Sequence, residues 1–171
     1  SRTYTSIIVG ATLIIILGIF DDKFELSAKV KFLGQIVAAL IIVVGGNIQV
    51  NFINTPFGDP IYFGYLAIPL TVIWIVGITN AINLIDGLDG LAAGVSTIAL
   101  LTIAGMAVFK IGDMFVALIA LVLAGSTLGF LRFNFFPAKI FMGDTGAMFL
   151  GFMIAVLSLL GFKNVTVISL I

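Results

Sequence analysis

Long apolar runs are the feature that most restricts how this chain can fold. Of its 171 residues, 61% are hydrophobic and 9% are charged, whereas ordinary soluble domains carry about 25% charged residues. A membrane core about 30 Å thick needs roughly 20 apolar residues in a helix. Five runs meet or approach that length and a sixth is shorter: about residues 6–20, 28–45, 66–84, 88–109, 114–131 and 147–162. The sequence therefore predicts an all-α, polytopic membrane protein with about six transmembrane helices.

The connection between the second and third predicted helices has a different pattern. Ile48, Val50 and Phe52 alternate with polar residues, and residues 55–60 are rich in turn formers. This alternation predicts a small exposed β-hairpin, which the count of membrane crossings places on the extracytoplasmic face.

Glycine spacing in two predicted helices suits close helix packing. Gly90 and Gly94 are four residues apart, as are Gly125 and Gly129, and small residues at this spacing let membrane helices approach closely. Glycine is also simply common in membrane helices, and that interpretation explains the spacing equally well.

Net charge and the absence of two residue types limit the partners and the kinds of catalysis that this stretch can support. The formal net charge is zero, and the chain contains no cysteine or histidine. Balanced charge gives no electrostatic reason to bind nucleic acid, so no nucleic-acid partner is expected. Disulfides, thiolate zinc sites and histidine-based catalysis are excluded within this stretch, although they are not excluded elsewhere in a longer protein.

Both ends of the sequence suggest a longer protein. The chain starts at Ser1 without a methionine or a signal peptide, and it ends at Ile171 inside an apolar run that begins at Val165. We expect residues 1–171 to be part of a single multi-span membrane catalytic domain whose N- and C-terminal spans are missing.

Three acidic motifs fall on one face of the membrane when the crossings are counted. Asp21 and Asp22 end the first predicted helix, Asp86 and Asp89 end the third, and Asp144 precedes the sixth. Five basic residues share this face: Lys23, Lys29, Lys31, Arg132 and Lys139. The other face has three: Arg2, Lys110 and Lys163. Because cytoplasmic loops carry an excess of Lys and Arg, the motif face is predicted to be cytoplasmic.

Adjacent carboxylates mark the first motif. Asp21 and Asp22 repel each other, and the negative end of the helix dipole disfavours each by roughly 0.3–1 kcal/mol. A polar cap at the end of a span explains them as well as a function does. A bound cation would remove both penalties, because Mg²⁺ prefers carboxylate and phosphate oxygens. Lys31, which follows in the next helix, is either a solvated charge or a phosphate ligand beside the metal.

The second motif, at residues 79–91, reads TNAINLIDGLDGL. A continuous helix would turn Asp89 away from Asn80, but the intervening glycines allow the chain to break and re-aim the acidic pair. Two amides, Asn80 and Asn83, and two carboxylates, Asp86 and Asp89, are costly beside lipid. The motif therefore favours a functional site over a simple interfacial cap.

The third motif, at residues 130–146, reads FLRFNFFPAKIFMGDTG. Pro137 ends the helix before it, and the glycines flanking Asp144 let the backbone approach a ligand. Asp144 begins a helix, where free N–H groups favour anions; the alternative is that it serves only as the N-cap. Three polar residues of the same loop favour a phosphate-facing site: Arg132, Asn134 and Lys139.

Together these motifs resemble the polyprenyl-phosphate N-acetylhexosamine-1-phosphate transferases, glycosyltransferase family 4. The matching stretches are FDDKFELSAKVKFLGQ, NAINLIDGLDGLAAG and FNFFPAKIFMGDTG, in that order. The resemblance implies transfer of a sugar-1-phosphate from a UDP-sugar to undecaprenyl phosphate with release of UMP. It also implies Mg²⁺ as cofactor, with Mn²⁺ as an alternative, a multi-pass location in the bacterial cytoplasmic membrane, and an active site that faces the cytoplasm. Whether the protein forms a homodimer is left open.

The resemblance also implies roles for individual residues. Asp144 would be the main Mg²⁺ ligand, and Asp21 and Asp22 would complete the metal and acceptor-phosphate site, so all three are catalytic candidates. Phe141 is predicted to stack on the uracil ring. Seven residues are candidates for substrate binding: Lys31, Asn80, Asn83, Asp86, Asp89, Asn134 and Phe141.

Two choices remain within the resemblance, and one outside it. Ile85 and Lys139 look more like the branch that uses UDP-GlcNAc for teichoic acids or surface polysaccharides than the branch that uses UDP-MurNAc-pentapeptide. A single direct displacement at phosphorus, with Asp21 as general base, is favoured over a two-step route through an aspartyl nucleophile. A cation transporter using the same aspartates is the alternative from a different class.

Overall fold

The computed structural model of this protein describes residues 2–53 and 59–165. Within this part of the chain there are six long helices: α1 (Arg2–Phe24), α2 (Ala28–Leu40), α3 (Ala67–Ile85), α4 (Leu91–Met106), α5 (Met114–Asn134) and α6 (Gly143–Val165). Three short turns extend them: π-helical turns at Ile41–Gly45 after α2 and Ala107–Ile111 after α4, and a 3-10 turn at Gly64–Leu66 before α3. Six spans are long and apolar enough to cross a membrane. The predicted all-α, polytopic membrane protein is confirmed.

Helix α6 forms the centre of the bundle. Of its most apolar window, 61% is buried, against 28–39% for the other spans, and it packs most closely against α1 and α3. Gly151 permits this approach, because a Cβ there would lie 2.7 Å from the Thr79 Cα of α3. In lipid, helices associate through such close packing and interhelical hydrogen bonds rather than through the hydrophobic effect.

Most of the glycines predicted to suit close packing do not contact another helix. A Cβ at Gly94, Gly125 or Gly129 would meet nothing within 4 Å outside its own helix. Only Gly90 of that set has close neighbours, the side chains of Leu131 and Phe135. Sequence spacing identifies stripes of small residues, but it does not tell which stripe faces another helix. In this bundle, glycines of α1 and α6 lie against neighbouring helices.

The two helices that follow the second and third acidic motifs, α4 and α6, begin at other residues than predicted. Helix α4 starts at Leu91 rather than at residue 88, because the chain turns between Asp86 and Gly90, where Gly90 has a φ of 74°. Helix α6 starts at Gly143 rather than at residue 147. Asp144 therefore lies inside the first turn of α6 and not in the loop before it.

The hairpin is smaller than the alternation suggested. Strands β1 (Phe52–Ile53) and β2 (Ile61–Tyr62) pair antiparallel, with Phe52 opposite Tyr62. Ile48 is buried in the core, and the Val50 N–H donates to the Thr71 hydroxyl at 3.0 Å. The apolar and polar alternation here reflects the packing of Ile48 into the bundle. Neither Ile48 nor Val50 belongs to a strand, since β1 begins at Phe52. The predicted turn at 55–60 and the terminal residues from 166 onward fall largely outside the described residues.

Candidate active site

Asp22 joins the end of α1 to the start of α6. Its carboxylate accepts hydrogen bonds from the Asp144 N–H at 2.8 Å, the Thr145 N–H at 3.2 Å and the Thr145 hydroxyl at 2.5 Å. The first N–H groups of a helix have no partner within it. A carboxylate that accepts from them satisfies these donors and complements the positive end of the helix dipole. The first and third motifs are thus in direct contact.

Asp21 points elsewhere, although it is the next residue in the chain. Its carboxylate is 3% exposed and lies 2.8 Å from the Lys31 ammonium of α2. Its other oxygen accepts from the Leu26 N–H at 2.9 Å. The two adjacent carboxylates therefore have separate partners, which reduces the repulsion expected between them.

Lys31 stands between two of the aspartates. Its ammonium contacts Asp21 and lies 4.0 Å from Asp144, whose side chain is 38% exposed. The pKa of Asp86 is raised, mainly by burial and further by the negative charges of Asp144 and Asp22. The Asp86 carboxylate thus belongs to the same electrostatic cluster as Asp22 and Asp144.

The second and third motifs meet through Asn134 and Asp89. The Asn134 side chain is buried; its oxygen accepts from the Gly90 N–H at 3.1 Å, and its amide donates to the Ile140 carbonyl at 2.9 Å. Asp89 accepts from the Ala138 N–H at 2.9 Å. These bonds hold the loop before α6 against the start of α4. Asp22, Asp89 and Asp144 therefore lie at one end of the bundle, as the crossing count predicted.

Asn80 makes hydrogen bonds within the helix bundle. Its amide donates to the Gln35 side-chain oxygen at 2.6 Å and to the Val76 carbonyl at 2.8 Å. Gln35 is buried and also donates to the Met148 sulfur at 3.3 Å. This polar contact fixes α2 against α3 and α6, one helical turn beyond Lys31.

The remaining predicted residues differ in exposure. Asn83 is half-buried in the last turn of α3, and Phe141 is 75% exposed beside the start of α6. The structure thus brings all ten predicted residues to one end of the bundle. Six of them make hydrogen bonds or a close ion pair within the protein: Asp21, Asp22, Lys31, Asn80, Asp89 and Asn134.

Three contributors are not among the predicted site residues. Thr145 holds Asp22, Gln35 holds Asn80, and Gly18 leaves room for Thr145, because a Cβ at Gly18 would lie 2.4 Å from the Thr145 Cα. Thr145 lies within the GDTG stretch, so its proximity to Asp144 was visible, but its partner across the bundle was not.

A magnesium ion fits these residues in a limited way. In the described part of the chain, no three His, Cys, Asp or Glu side chains form a group that could hold a metal. Mg²⁺, however, is usually bound by one or two carboxylates together with waters and substrate phosphates. The exposed Asp144 carboxylate, whose one contact among the described residues is the distant Lys31 ammonium, suits such a shared ion.

The chain is similar to several known proteins. The probable undecaprenyl-phosphate N-acetylglucosaminyl 1-phosphate transferase of Bacillus subtilis (strain 168) is 58% identical over 169 residues, which cover 98% of this chain and 47% of that protein. The decaprenyl-phosphate N-acetylglucosaminephosphotransferase of Mycobacterium leprae (strain TN) is 40% identical over 166 residues, 90% of this chain and 41% of that protein.

A relative from the other branch is also similar. The phospho-N-acetylmuramoyl-pentapeptide-transferase of Listeria monocytogenes is 39% identical over 155 residues, 84% of this chain and 48% of that protein. The chain thus spans about half the length of the curated relatives it matches. Residues 4–162 match the family model of glycosyl transferase family 4. Because that match covers most of the chain and includes all three acidic motifs, the chain belongs to glycosyl transferase family 4.

Proposed function

We propose that the full-length protein transfers GlcNAc-1-phosphate from UDP-GlcNAc to undecaprenyl phosphate and releases UMP. This would be the first membrane step of teichoic acid or surface polysaccharide synthesis. The main structural support is the contact of Asp22 with Asp144 and Thr145, which unites two motifs far apart in sequence at one end of the bundle. The similarity to the named Bacillus subtilis protein supports the choice of sugar and lipid.

The positions of the carboxylates favour a transferase over a cation transporter. All eight acidic residues of the sequence lie at helix ends or in loops. Carboxylates that carry ions through a membrane usually lie inside the spans, often in broken helices. A cluster at the membrane surface instead suits a reaction between a soluble nucleotide sugar and a lipid phosphate. We place this end of the bundle in the cytoplasm, because it carries the larger number of Lys and Arg residues.

Phosphate handling falls to Lys31 and the aspartates around it. We propose that Asp144 holds Mg²⁺, with Asp21 and Asp22 in the same cluster. A bound Mg²⁺ would neutralise charge on the pyrophosphate leaving group. Lys31 is 26% exposed and already lies between two carboxylates, so its ammonium can also contact a phosphate that enters beside Asp144.

Proton removal is proposed to fall to Asp21. The second pKa of a phosphate monoester is near 6, so the acceptor needs little help to ionise fully. Asp21 is buried and paired with Lys31, so it can accept a proton only when that pair opens towards the substrate. Direct attack of the acceptor phosphate is therefore the simpler route, because it requires no covalent bond to this buried carboxylate.

Nucleotide-sugar binding is proposed for the exposed or half-buried residues whose side chains make no hydrogen bond to the described residues. Asn83, Asp86 and Phe141 lie at the motif end of the bundle and offer an amide, a carboxylate and an exposed ring. Asp89, Asn80 and Asn134 would contribute through the loops and helices that they hold together.

A labelled transfer assay on the full-length protein tests the proposal. Radiolabelled UDP-GlcNAc and undecaprenyl phosphate should yield a labelled lipid product, and Asp144→Asn should abolish it while the protein stays folded in detergent. Asp113→Asn is the matched control, since Asp113 caps α5 at the opposite end of the bundle. Normal turnover by Asp144→Asn at low Mg²⁺ would reject the metal assignment.

Two further measurements separate the alternatives. Transfer from UDP-MurNAc-pentapeptide but not from UDP-GlcNAc would assign the chain to the peptidoglycan branch. A chiral β-phosphorothioate form of the UDP-sugar distinguishes the mechanisms: direct attack inverts configuration at the transferred phosphorus, whereas a two-step route retains it.

A further inference from the structure

The start of α6 is built around the carboxylate of Asp22. Three donors from Asp144 and Thr145 occupy both carboxylate oxygens, so most of their lone pairs are used even though the residue is exposed. Gly143 approaches from the other side with a φ of 69°, and a Cβ there would lie 3.1 Å from each Asp22 oxygen. The backbone thus wraps closely around this one side chain.

Helix α1 is shaped to allow the same contact. Gly18 lies one helical turn before Asp22, and its missing side chain lets the Thr145 backbone come against α1. Any other residue at Gly18 would move the two helices apart. Steric fit and hydrogen bonding, which are independent observations, therefore serve a single junction.

We propose that Asp22 and Thr145 are positioning residues, which fasten α6 to α1 and thereby hold the Asp144 carboxylate beside Lys31 and Asp21. This inference rests on the proposed function only in that Asp144 is taken as the metal ligand. Asp22 accepts from the N–H of Asp144 itself, so the backbone that carries the ligand cannot rotate without losing a charge-assisted hydrogen bond. Asp22 then acts through Asp144 rather than through direct contact with metal or substrate.

The first experiment needs no activity. Amide hydrogen exchange of the full-length protein in nanodiscs should show the segment 143–150 protected in the wild type. Asp22→Ala and Thr145→Val should lose protection in this segment alone, whereas Asp144→Ala should keep it, because the Asp144 side chain makes no part of the junction. Unchanged protection in both Asp22→Ala and Thr145→Val would overturn the proposal.

The second experiment measures the Mg²⁺ dependence of transfer. Removal of a group that orients a metal ligand typically weakens metal binding about 10–100-fold, so Thr145→Val should raise the Mg²⁺ concentration for half-maximal activity by about tenfold. Thr145→Ser keeps the hydroxyl and should have the same Mg²⁺ requirement as the wild type. If Asp22 acted directly on metal or substrate, Thr145→Val would match the wild type while Asp22→Asn was inactive.

The steric half of the junction has its own test. Gly18→Ala should raise the Mg²⁺ requirement and expose 143–150 to exchange, although it removes no polar group. Gly94→Ala is the control, because a Cβ at Gly94 faces open space in a helix of the same bundle. Equal behaviour of the two variants would reject the steric part of the proposal.

The outcomes keep the two proposals apart. If the wild type transfers no sugar phosphate to lipid, the proposed function fails, but hydrogen exchange still decides whether the junction holds α6. If the wild type is active and the Thr145 and Gly18 variants are normal in exchange and in Mg²⁺ dependence, the positioning role fails and the proposed function stands.

Discussion

The ammonium of Lys31 lies 2.8 Å from the carboxylate of Asp21, which is almost completely buried. This pair ties the start of α2 to the end of α1 at the membrane surface. A buried charge is costly unless it is paired, so the contact makes the stability of this end of the bundle depend on one lysine.

Lys31→Met should therefore destabilise the protein. Breaking a buried ion pair by removing one partner costs about 3–5 kcal/mol, and the lower end applies because Lys31 keeps 26% exposure. Lys29→Met, two residues earlier and exposed, should have little effect. Unfolding in detergent measures both. A Lys31→Met/Asp21→Asn double variant should recover part of the loss, and the prediction is wrong if Lys31→Met is as stable as Lys29→Met.

The Gln35–Asn80 contact should show energetic coupling. Side-chain hydrogen bonds between membrane helices average about 0.6 kcal/mol and reach about 1.7, and the 2.6 Å bond between these amides is partly buried. A double-mutant cycle with Gln35→Leu and Asn80→Leu should give a coupling of about 1 kcal/mol. If instead Asn80→Leu raises the KM for the UDP-sugar and shows no coupling to Gln35, Asn80 binds substrate as the sequence suggested.

Two asparagines of the predicted substrate site should behave differently. Asn134→Ala removes two hydrogen bonds, worth about 0.5–1.5 kcal/mol each, and should lower stability and increase amide exchange at Gly90. Asn83→Ala is the matched control, since its side chain has no hydrogen bond to the described residues; it should leave stability nearly unchanged and weaken UDP-sugar binding. The assignment is wrong if Asn83→Ala lowers stability while Asn134→Ala leaves stability unchanged and weakens UDP-sugar binding.

Asp86 should make stability depend on pH. Burial, with the charges of Asp144 and Asp22, raises the pKa of Asp86 above its ordinary 3.8. The protonated form is therefore favoured in the folded state, and this contribution to stability is complete below the ordinary pKa and lost as pH rises through the raised one. Asp86→Asn should be more stable than the wild type at neutral pH, and the difference should disappear in acid. A Tm difference that is independent of pH would contradict this.

Phe141 should contribute to nucleotide binding. Stacking on a base is worth about 1–3 kcal/mol in nucleic-acid complexes, so Phe141→Ala should raise the KM for the UDP-sugar about tenfold and leave the KM for undecaprenyl phosphate unchanged. Phe136→Ala is the control, because Phe136 is an equally exposed ring of the same loop. An unchanged KM for the nucleotide would exclude the stacking role.

The spans and the side on which the acidic motifs lie could be predicted from the sequence. Apolar run length decides which segments cross a membrane, and the parity of crossings then places Asp22, Asp89 and Asp144 at one end. Pro137 and the glycines between Asp86 and Leu91 are local signals, so the breaks after α5 and α3 could also be predicted. None of these conclusions requires knowledge of which helices touch.

The partners of each site residue depended on the tertiary structure alone. Sequence suggested that Asp21 and Asp22 would act together, yet their carboxylates point to Lys31 and to α6. The sequence offers Asp144 as an N-cap of α6, whereas the carboxylate that accepts from the first N–H groups of α6 is that of Asp22, 122 residues away in the chain. A carboxylate, an amide or a glycine has the same local sequence signal whether it binds substrate or another helix. Only the packing of α1, α3 and α6 decides which, because the free N–H groups and close backbone contacts that select each partner exist only once the helices have assembled.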